Sequence, residues 1–306
     1  MGMYYEDFRE QMRQLVQEKL GDEAEVFFRI REKNNQTLKD GLCIRKCSGK
    51  EGIAVYPEEL YQQYMAGATP ERLAANVAGL FHMSKKIPGT DILMDWEKVK
   101  GRLQLRLVKK AWNEENLKNR VYREYLDFAV MVAVELFGRL DNVSRTIANS
   151  AANGAGHTCS TLVEPFMMNT WGVSEDELYR TAFRNLYQEE FEIIRLSALL
   201  PSDGGDCGQE ELYFFGCMKR SFRASAIFRE DLLNRFAEEQ GRNLFILPCS
   251  VHELLLLKQE EGVGAENLKE IVREINDESG DIRQEEKLSD SIYYYDRESR
   301  RVELAL

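Results

Sequence analysis

The sequence predicts an α+β fold with mixed, mostly antiparallel sheets and packed helices. Strand-like and helical segments occur in clusters, without the strict strand–helix alternation of a doubly wound parallel sheet. Polar turn segments separate strand-like runs that are short, as expected of antiparallel sheets. Of the 306 residues, 43% are hydrophobic and 15 are Phe, which is sufficient to bury a core and excludes a disordered chain.

The amino-terminal part predicts a helix, a β-hairpin with a third strand, and two further helices. Residues 3–20 place apolar side chains at helical spacing and are followed by Gly21, a residue typical of a helix C-cap. Three strand-like segments come next, at residues 25–30, 41–46 and 52–56. Pro57 and Pro70 then suit the first turns of two helices.

Two strands are predicted in the middle of the chain. Residues 103–108 alternate between leucine and other side chains, which indicates a half-buried strand. The face predicted to be solvated carries Gln104, Arg106 and Val108. Residues 125–136 include β-branched side chains, as is typical of a buried strand. Between the two strands, Asn113 is predicted to cap a short helix.

The carboxy-terminal part predicts short strands mixed with helices. Ser174 and Glu177 form a capping box that opens one helix. Beyond it we predict strands at 212–217, 224–228, 244–247, 292–295 and 301–304, with helices at 230–240 and 265–276. The polar, Gly-rich segment 201–210 is typical of a linker. We therefore predict α+β regions at 1–200 and 211–306, or one continuous domain.

Composition indicates a reducing compartment. The six cysteines are scattered without a CxxC pair, whereas disulfide frameworks are typical of shorter secreted chains. No stretch approaches the roughly 18 uninterrupted apolar residues that cross a bilayer. Residues 1–21 are rich in charged side chains, unlike a secretory signal. We therefore expect a cytoplasmic protein that is not in a membrane.

Several separated segments occur in an order that is typical of one family. They are residues 40–44, 171–173 with the helix that Ser174 opens, 245–256, 265–276 and 288–295. Together they resemble the uncharacterised bacterial family called domain of unknown function 5688, over most of the chain. The resemblance implies an intracellular bacterial protein, and it implies no activity.

The sharpest candidate for chemistry is the segment with Ser250, His252 and Glu253, next to Cys249. Histidine titrates near neutral pH, so His252 can serve as an acid or a base. On a strand, however, His252 and Glu253 would point to opposite faces. In a helical turn, Ser250 would be an N-cap and Glu253 would complete a capping box. A structural cap with a hydrogen-bonded histidine is the preferred interpretation.

A second candidate is the pair His157 and Cys159. Residues two apart share one face of a strand, and a thiolate beside an imidazole is a nucleophile. No Gly-rich oxyanion turn follows Cys159. We therefore prefer a strand with one partly exposed histidine and one buried cysteine.

We expect neither a metal nor a cofactor. The three histidines, at 82, 157 and 252, are far apart, and no HExxH or paired-cysteine spacing of a zinc site is present. The phosphate-binding patterns GxxxxGK[ST] and GxGxxG are missing as well.

Charge is unevenly distributed along the chain, whose net charge is −11. Residues 84–123 hold 11 basic and 5 acidic side chains, a net charge of +6, and residues 251–306 hold 8 basic and 15 acidic, a net of −7. We interpret both as solvated surfaces. The stretch 96–112 also mixes Trp with Lys and Arg, which single-stranded nucleic acids require of a binding surface.

Three functional hypotheses follow from these patterns. The first is a non-enzymatic intracellular binding or regulatory protein of bacteria, with another protein as its partner and neither nucleic acid nor a membrane. The second is a hydrolase or transferase that uses Cys159 or Cys249 with a histidine. The third is weak nucleic-acid binding through residues 96–112.

Overall fold

The computed structural model describes residues 2–47, 52–84, 90–137, 159–199, 212–217, 222–248, 250–260, 264–277 and 282–305. The α-helices within these ranges are α1 (Tyr5–Leu20), α2 (Pro57–Met65), α3 (Pro70–Ser84), α4 (Trp96–Val99), α5 (Glu114–Leu117), α6 (Pro165–Trp171), α7 (Glu175–Gln188), α8 (Glu230–Gln240) and α9 (Ala265–Asp277). The strands are β1 (Ala24–Glu32), β2 (Leu38–Lys46), β3 (Gly52–Val55), β4 (Leu103–Lys109), β5 (Tyr122–Tyr125), β6 (Phe128–Phe137), β7 (Cys159–Leu162), β8 (Glu192–Arg195), β9 (Leu212–Gly216), β10 (Leu244–Leu247), β11 (Leu254–Lys258), β12 (Tyr293–Asp296) and β13 (Arg301–Leu304).

The described strands form antiparallel sheets, which confirms the α+β class. Their orders are β1-β2-β3, β4-β6-β5 with β7 also on β6, and β13-β12-β10-β11-β9-β8. The chain forms two compact units, and the second holds residues 34–36 and the described residues from Leu93 onward. The predicted boundary at 201–210 lies outside the described residues and stays a prediction.

The first unit is built on one apolar face of α1. Phe8, Met12 and Val16 are spaced four residues apart, so they lie on one side of the helix, and all three are fully buried. They share a core with β1, β2 and α3, through Val26, Leu42, Ile44, Leu73, Val77 and Phe81. The predicted hairpin, and the helices that begin at Pro57 and Pro70, are confirmed.

In the second unit, β4 is buried on both faces. Its residues from Leu103 to Val108 are each at most 7% exposed, so the prediction of a solvated face is wrong. α7 covers the leucine face, where the Tyr179 hydroxyl donates to the Val130 carbonyl of β6 at 2.6 Å. A buried turn at Ala224–Phe228 packs against β4 as well, so Gln104 and Arg106 need partners inside the protein.

One other local prediction is wrong and two are confirmed in part. Ala224–Phe228 is a 3-10 turn and not a strand, because its apolar side chains reflect burial and not extension. The strand predicted at 125–136 is present as β6 but begins at Phe128, since Leu126 takes a positive φ of 53° in the turn that follows β5. Asn113 stands at the N-cap of the predicted short helix, but its side chain makes no cap bond and donates to the Lys109 carbonyl at 2.9 Å.

The predictions for the carboxy-terminal part otherwise agree with the structure. Ser174 caps α7 by accepting from the Glu177 N–H at 3.2 Å. The strands predicted at 292–295 and 301–304 are present as β12 and β13, which pair as an antiparallel hairpin at the end of the described chain. The apolar face of α9 places Leu268 and Val272 in a core with residues of β10 and β11.

The core of the first unit gives a direct test of its packing. We expect Met12→Ala to lower the free energy of unfolding by about 2–5 kcal/mol, because it removes a fully buried side chain and leaves a cavity. Urea denaturation followed by circular dichroism measures this loss. The matched control Glu18→Ala, at an exposed position of the same helix, is expected to stay within about 0.5 kcal/mol. Equal effects of the two variants would contradict the packing described.

Candidate functional site

Residues 250–253 connect β10 to β11 as a non-helical bend. Two other segments hold its backbone in place. The Arg223 N–H donates to the His252 carbonyl at 2.9 Å, and the Val251 N–H donates to the Glu286 carbonyl at 2.8 Å. The strongest candidate segment of the sequence is therefore fixed by residues far from it along the chain.

Ser250 and Glu253 do not form the predicted capping box, because no helix begins here. The Ser250 hydroxyl instead accepts from the His252 N–H at 2.9 Å, which closes a local turn. Burial raises the pKa of Glu253, and the charge of His252 and a hydrogen bond with Ser250 only partly oppose this rise. The two side chains thus belong to the internal bonding of the bend.

Both ring nitrogens of His252 have partners inside the protein. Nδ1 accepts from the Phe222 N–H at 3.1 Å, and Nε2 lies 3.4 Å from Oε1 of Glu286. A nitrogen that accepts an N–H bond carries no proton, so the neutral ring has its proton on Nε2, facing Glu286. In this arrangement the ring has no unused lone pair with which to accept a proton from a substrate.

Glu286 is the acidic partner of this histidine. Burial alone would raise the pKa of Glu286, but the hydrogen bond with His252 and the charges of His252 and Arg283 outweigh it and lower the pKa to about 2. Arg283 Nη2 lies 2.9 Å from the Glu286 carboxylate. Glu286 is therefore ionised throughout the physiological pH range.

A second buried group, Arg223, lies next to this segment and is only 1% exposed. Its Nε is 2.7 Å from the Glu189 carboxylate, and its Nη2 is 3.9 Å from that of Glu135. Its Nη1 donates to the Gln104 side-chain oxygen at 3.0 Å, and Gln104 in turn donates to Glu135. β4, β6 and the end of α7 thus meet around one guanidinium.

Phe222 connects the histidine to another arginine, Arg106. The centroids of the Phe222 and His252 rings are 4.8 Å apart, and the guanidinium carbon of Arg106 lies 3.7 Å from the Phe222 centroid. The φ of Phe222 is +60°, which is strained for a bulky residue. On β4, Arg106 also donates through Nη2 to the Ser160 hydroxyl at 2.6 Å.

Sequence reasoning missed most of this cluster. Arg223, Glu189 and Glu286 lie in segments with no motif, and only the folded chain brings them together. One signal was present in the sequence. Gln104 and Arg106 interrupt β4, which is otherwise largely apolar, and the strand-like run at 128–134 is apolar too. Polar side chains at such positions indicate a buried polar network as readily as a solvated face.

Sequence reasoning also missed a polar group around Lys109. The Lys109 ammonium donates to the Asp127 carboxylate and to the hydroxyls of Ser289 at 3.1 Å and Ser291 at 2.8 Å. Burial would raise the pKa of Asp127, but hydrogen bonds from Lys109 and Tyr293 outweigh it and lower the pKa. The Lys109 ammonium thus donates to three acceptors inside the protein, which is typical of a structural ion pair.

The basic stretch 96–112 is largely neutralised by carboxylates. Lys98 lies 3.1 Å from Asp95, and Lys110 lies 2.5 Å from Glu124. Lys100 and Lys109 likewise pair with Glu97 and Asp127, and Arg106 is buried. The aromatic Trp96 packs against Trp171, with ring centroids 5.6 Å apart. Each of these four lysines therefore has a carboxylate beside it.

The remaining candidates are located as follows. Cys249 and His157 lie outside the described residues, and Cys159 is described only as the first residue of β7. His82 is a half-exposed residue on α3, with Nδ1 at 3.9 Å from Glu23. Within the described ranges, no three His, Cys, Asp or Glu side chains group as metal ligands would. None of the helices in those ranges is long and apolar enough to cross a membrane.

Comparison with models of protein families gives a match over most of the chain. The model of a family of unknown function, DUF5688, matches residues 5–297. The chain belongs to this family. Comparisons with curated proteins and with solved structures gave no match. Membership of DUF5688 confirms the resemblance seen in the sequence, and the family description assigns no activity, so the functional argument rests on the geometry above.

The pKa of Glu286 predicts an acid-sensitive contribution to stability. A folded-state pKa lowered from 4.5 to about 2 stabilises the fold above pH 4.5, and this stabilisation is lost as the pH falls towards 2. We expect Glu286→Gln to lower the free energy of unfolding by about 1–3 kcal/mol at pH 7, with a difference that shrinks below pH 4. Urea titrations between pH 2.5 and 7 measure this difference in the free energy of unfolding.

Glu298→Gln, at an exposed position, is the control for the Glu286 variant. A pH-independent difference would argue against the His252–Glu286 pair.

The ion pair of Arg223 predicts a large loss of stability and a partial rescue. Arg223→Met should lower the free energy of unfolding by about 3–5 kcal/mol, because it leaves Glu189 without its buried counter-charge. The double variant Arg223→Met/Glu189→Gln should be more stable than Arg223→Met alone. Denaturant unfolding provides the measurement, and Arg235→Met, on an exposed pair, should cost less than about 1 kcal/mol. Simple additivity of the two substitutions would refute the coupling.

Proposed function

We propose that this chain is a non-enzymatic binding or regulatory protein that works in the bacterial cytoplasm. The observation that carries the proposal is the engagement of both ring nitrogens of His252, one by the Phe222 N–H and the other by Glu286. A general base needs a free lone pair within reach of its substrate, and the best candidate base of the sequence lacks one.

The carboxylates beside His252 support the same proposal. Glu286, with a pKa of about 2, is a weak proton acceptor at neutral pH. Glu253 has a raised pKa because it is buried, and its partner Ser250 belongs to the same bend. The group therefore suits a structural role in a binding protein better than proton transfer.

The partner that we propose is another protein or a small ligand. Nucleic-acid binding would require free cations along residues 96–112, and the lysines there are paired with carboxylates. The cytoplasmic assignment is supported by the cysteines. Cys43, Cys47 and Cys217 are free thiols, which a reducing compartment maintains.

The competing hypothesis, a cysteine-dependent hydrolase or transferase, is tested by thiol reactivity. The native full-length chain is treated with iodoacetamide at pH 7, and the labelling rate of each cysteine is measured by mass spectrometry. We expect Cys159 and Cys249 to react no faster than in the chain unfolded by guanidinium, because a non-enzymatic protein needs no activated thiolate.

Cys47 provides the internal control, since it is an exposed free thiol. Faster labelling of Cys159 or Cys249 in the native chain, abolished by His157→Ala or His252→Ala, would replace this proposal with the enzyme hypothesis. The binding function is tested separately by affinity capture from a bacterial lysate at about 0.15 M salt, where surface charges are screened. The proposal requires a partner that is retained specifically and competed by untagged protein.

A further inference from the structure

Arg106 is a buried cation with an incomplete set of partners. It is 7% exposed, its guanidinium carbon lies over the Phe222 ring at 3.7 Å from the centroid, and its Nη2 donates to Ser160. Its Nε is buried and donates to no acceptor among the described residues. By contrast, the neighbouring Arg223 lies beside two carboxylates, those of Glu189 and Glu135.

No carboxylate of the described chain lies within ion-pair distance of Arg106. Burial, together with the nearby positive charge of Arg223, lowers the pKa of Arg106 to about 9. A buried charge that is not paired destabilises a fold, so proteins rarely retain one without a use for it. Strain and unsatisfied polar groups of this kind occur at binding sites, where a ligand completes the set.

The surroundings of Arg106 leave it suited to a planar or tetrahedral anion. The guanidinium contacts the Phe222 ring, and its Nε–H is an unused donor among the described residues. The Ser160 hydroxyl accepts from Arg106, and its own proton has no acceptor among the described residues. Ser160 is half-buried on β7, a strand that pairs only with β6 in the described sheet.

We propose that Arg106 and Ser160 form the binding site of a small oxyanion, a carboxylate or a phosphate group. Arg106 donates from its guanidinium edge and Ser160 donates its hydroxyl proton. Because Nε has no exposed surface and β7 pairs only with β6 in the described sheet, we expect the anion to enter at the β7 edge. The site names a ligand class for the binding function proposed above and rests on that function.

The test uses the full chain and two probes, inorganic phosphate and sodium acetate, with sodium chloride at matched ionic strength. We expect phosphate or acetate to raise the melting temperature in a saturable manner, and chloride to leave it unchanged. Phosphate alone would assign a phosphate ligand, and acetate alone a carboxylate. Arg106→Gln should abolish the shift, and Ser160→Ala should weaken the apparent affinity by about 10-fold.

Two further variants keep the test decisive. Arg120→Gln removes a half-exposed arginine that already pairs with Glu164, and it should retain the full shift. Arg106→Met should raise the melting temperature of the ligand-free protein, because it removes a buried charge that has no ion-pair partner in the described part of the chain. The inference is overturned if neither oxyanion gives a saturable shift, if Arg106→Gln retains it, or if Arg106→Met melts at a lower temperature. These outcomes are independent of thiol labelling, so failure here is distinguishable from failure of the proposed function.

Discussion

Arg223 is almost completely buried, and a guanidinium in that position must be surrounded by acceptors if it is to keep its charge. Three segments supply them, through Gln104, Glu135 and Glu189. The backbone N–H of Arg223 also donates to the carbonyl of His252, which fixes the bend at 250–253. The position of the histidine, and of the turn that covers β4, thus depends on one arginine.

This dependence explains why His252, in the strongest candidate segment of the sequence, has both ring nitrogens engaged inside the protein. A catalytic histidine is normally oriented by one partner and leaves the second nitrogen free for the substrate. Here the Phe222 N–H occupies Nδ1 and Glu286 faces Nε2, so the ring joins two loops. The unsatisfied polarity lies instead at Arg106, whose Nε has no acceptor among the described residues and whose guanidinium contacts the same Phe222 ring as His252 does.

The sequence predicts those parts of the fold that depend on local periodicity. The apolar face of α1, the cap at Ser174 and the closing hairpin each have a signal within a few residues. The burial of Gln104 has only an ambiguous local signal, its place in a largely apolar strand, because the burial depends on a turn more than 100 residues later that brings Arg223 over the strand. The pairing of His252 with Glu286 is equally non-local, so the sequence could suggest the histidine and not its partner.

The double burial of β4 and β6 has a consequence for motion. β6 has strands along both of its sides and side chains packed on both of its faces, so its amide hydrogens exchange with solvent only through extensive opening. The bend at 250–253 is joined to residue 286 mainly by polar contacts, which open at a smaller free energy. Hydrogen exchange would therefore divide the second unit into a slow sheet and a faster polar corner at residues 250–253 and 286.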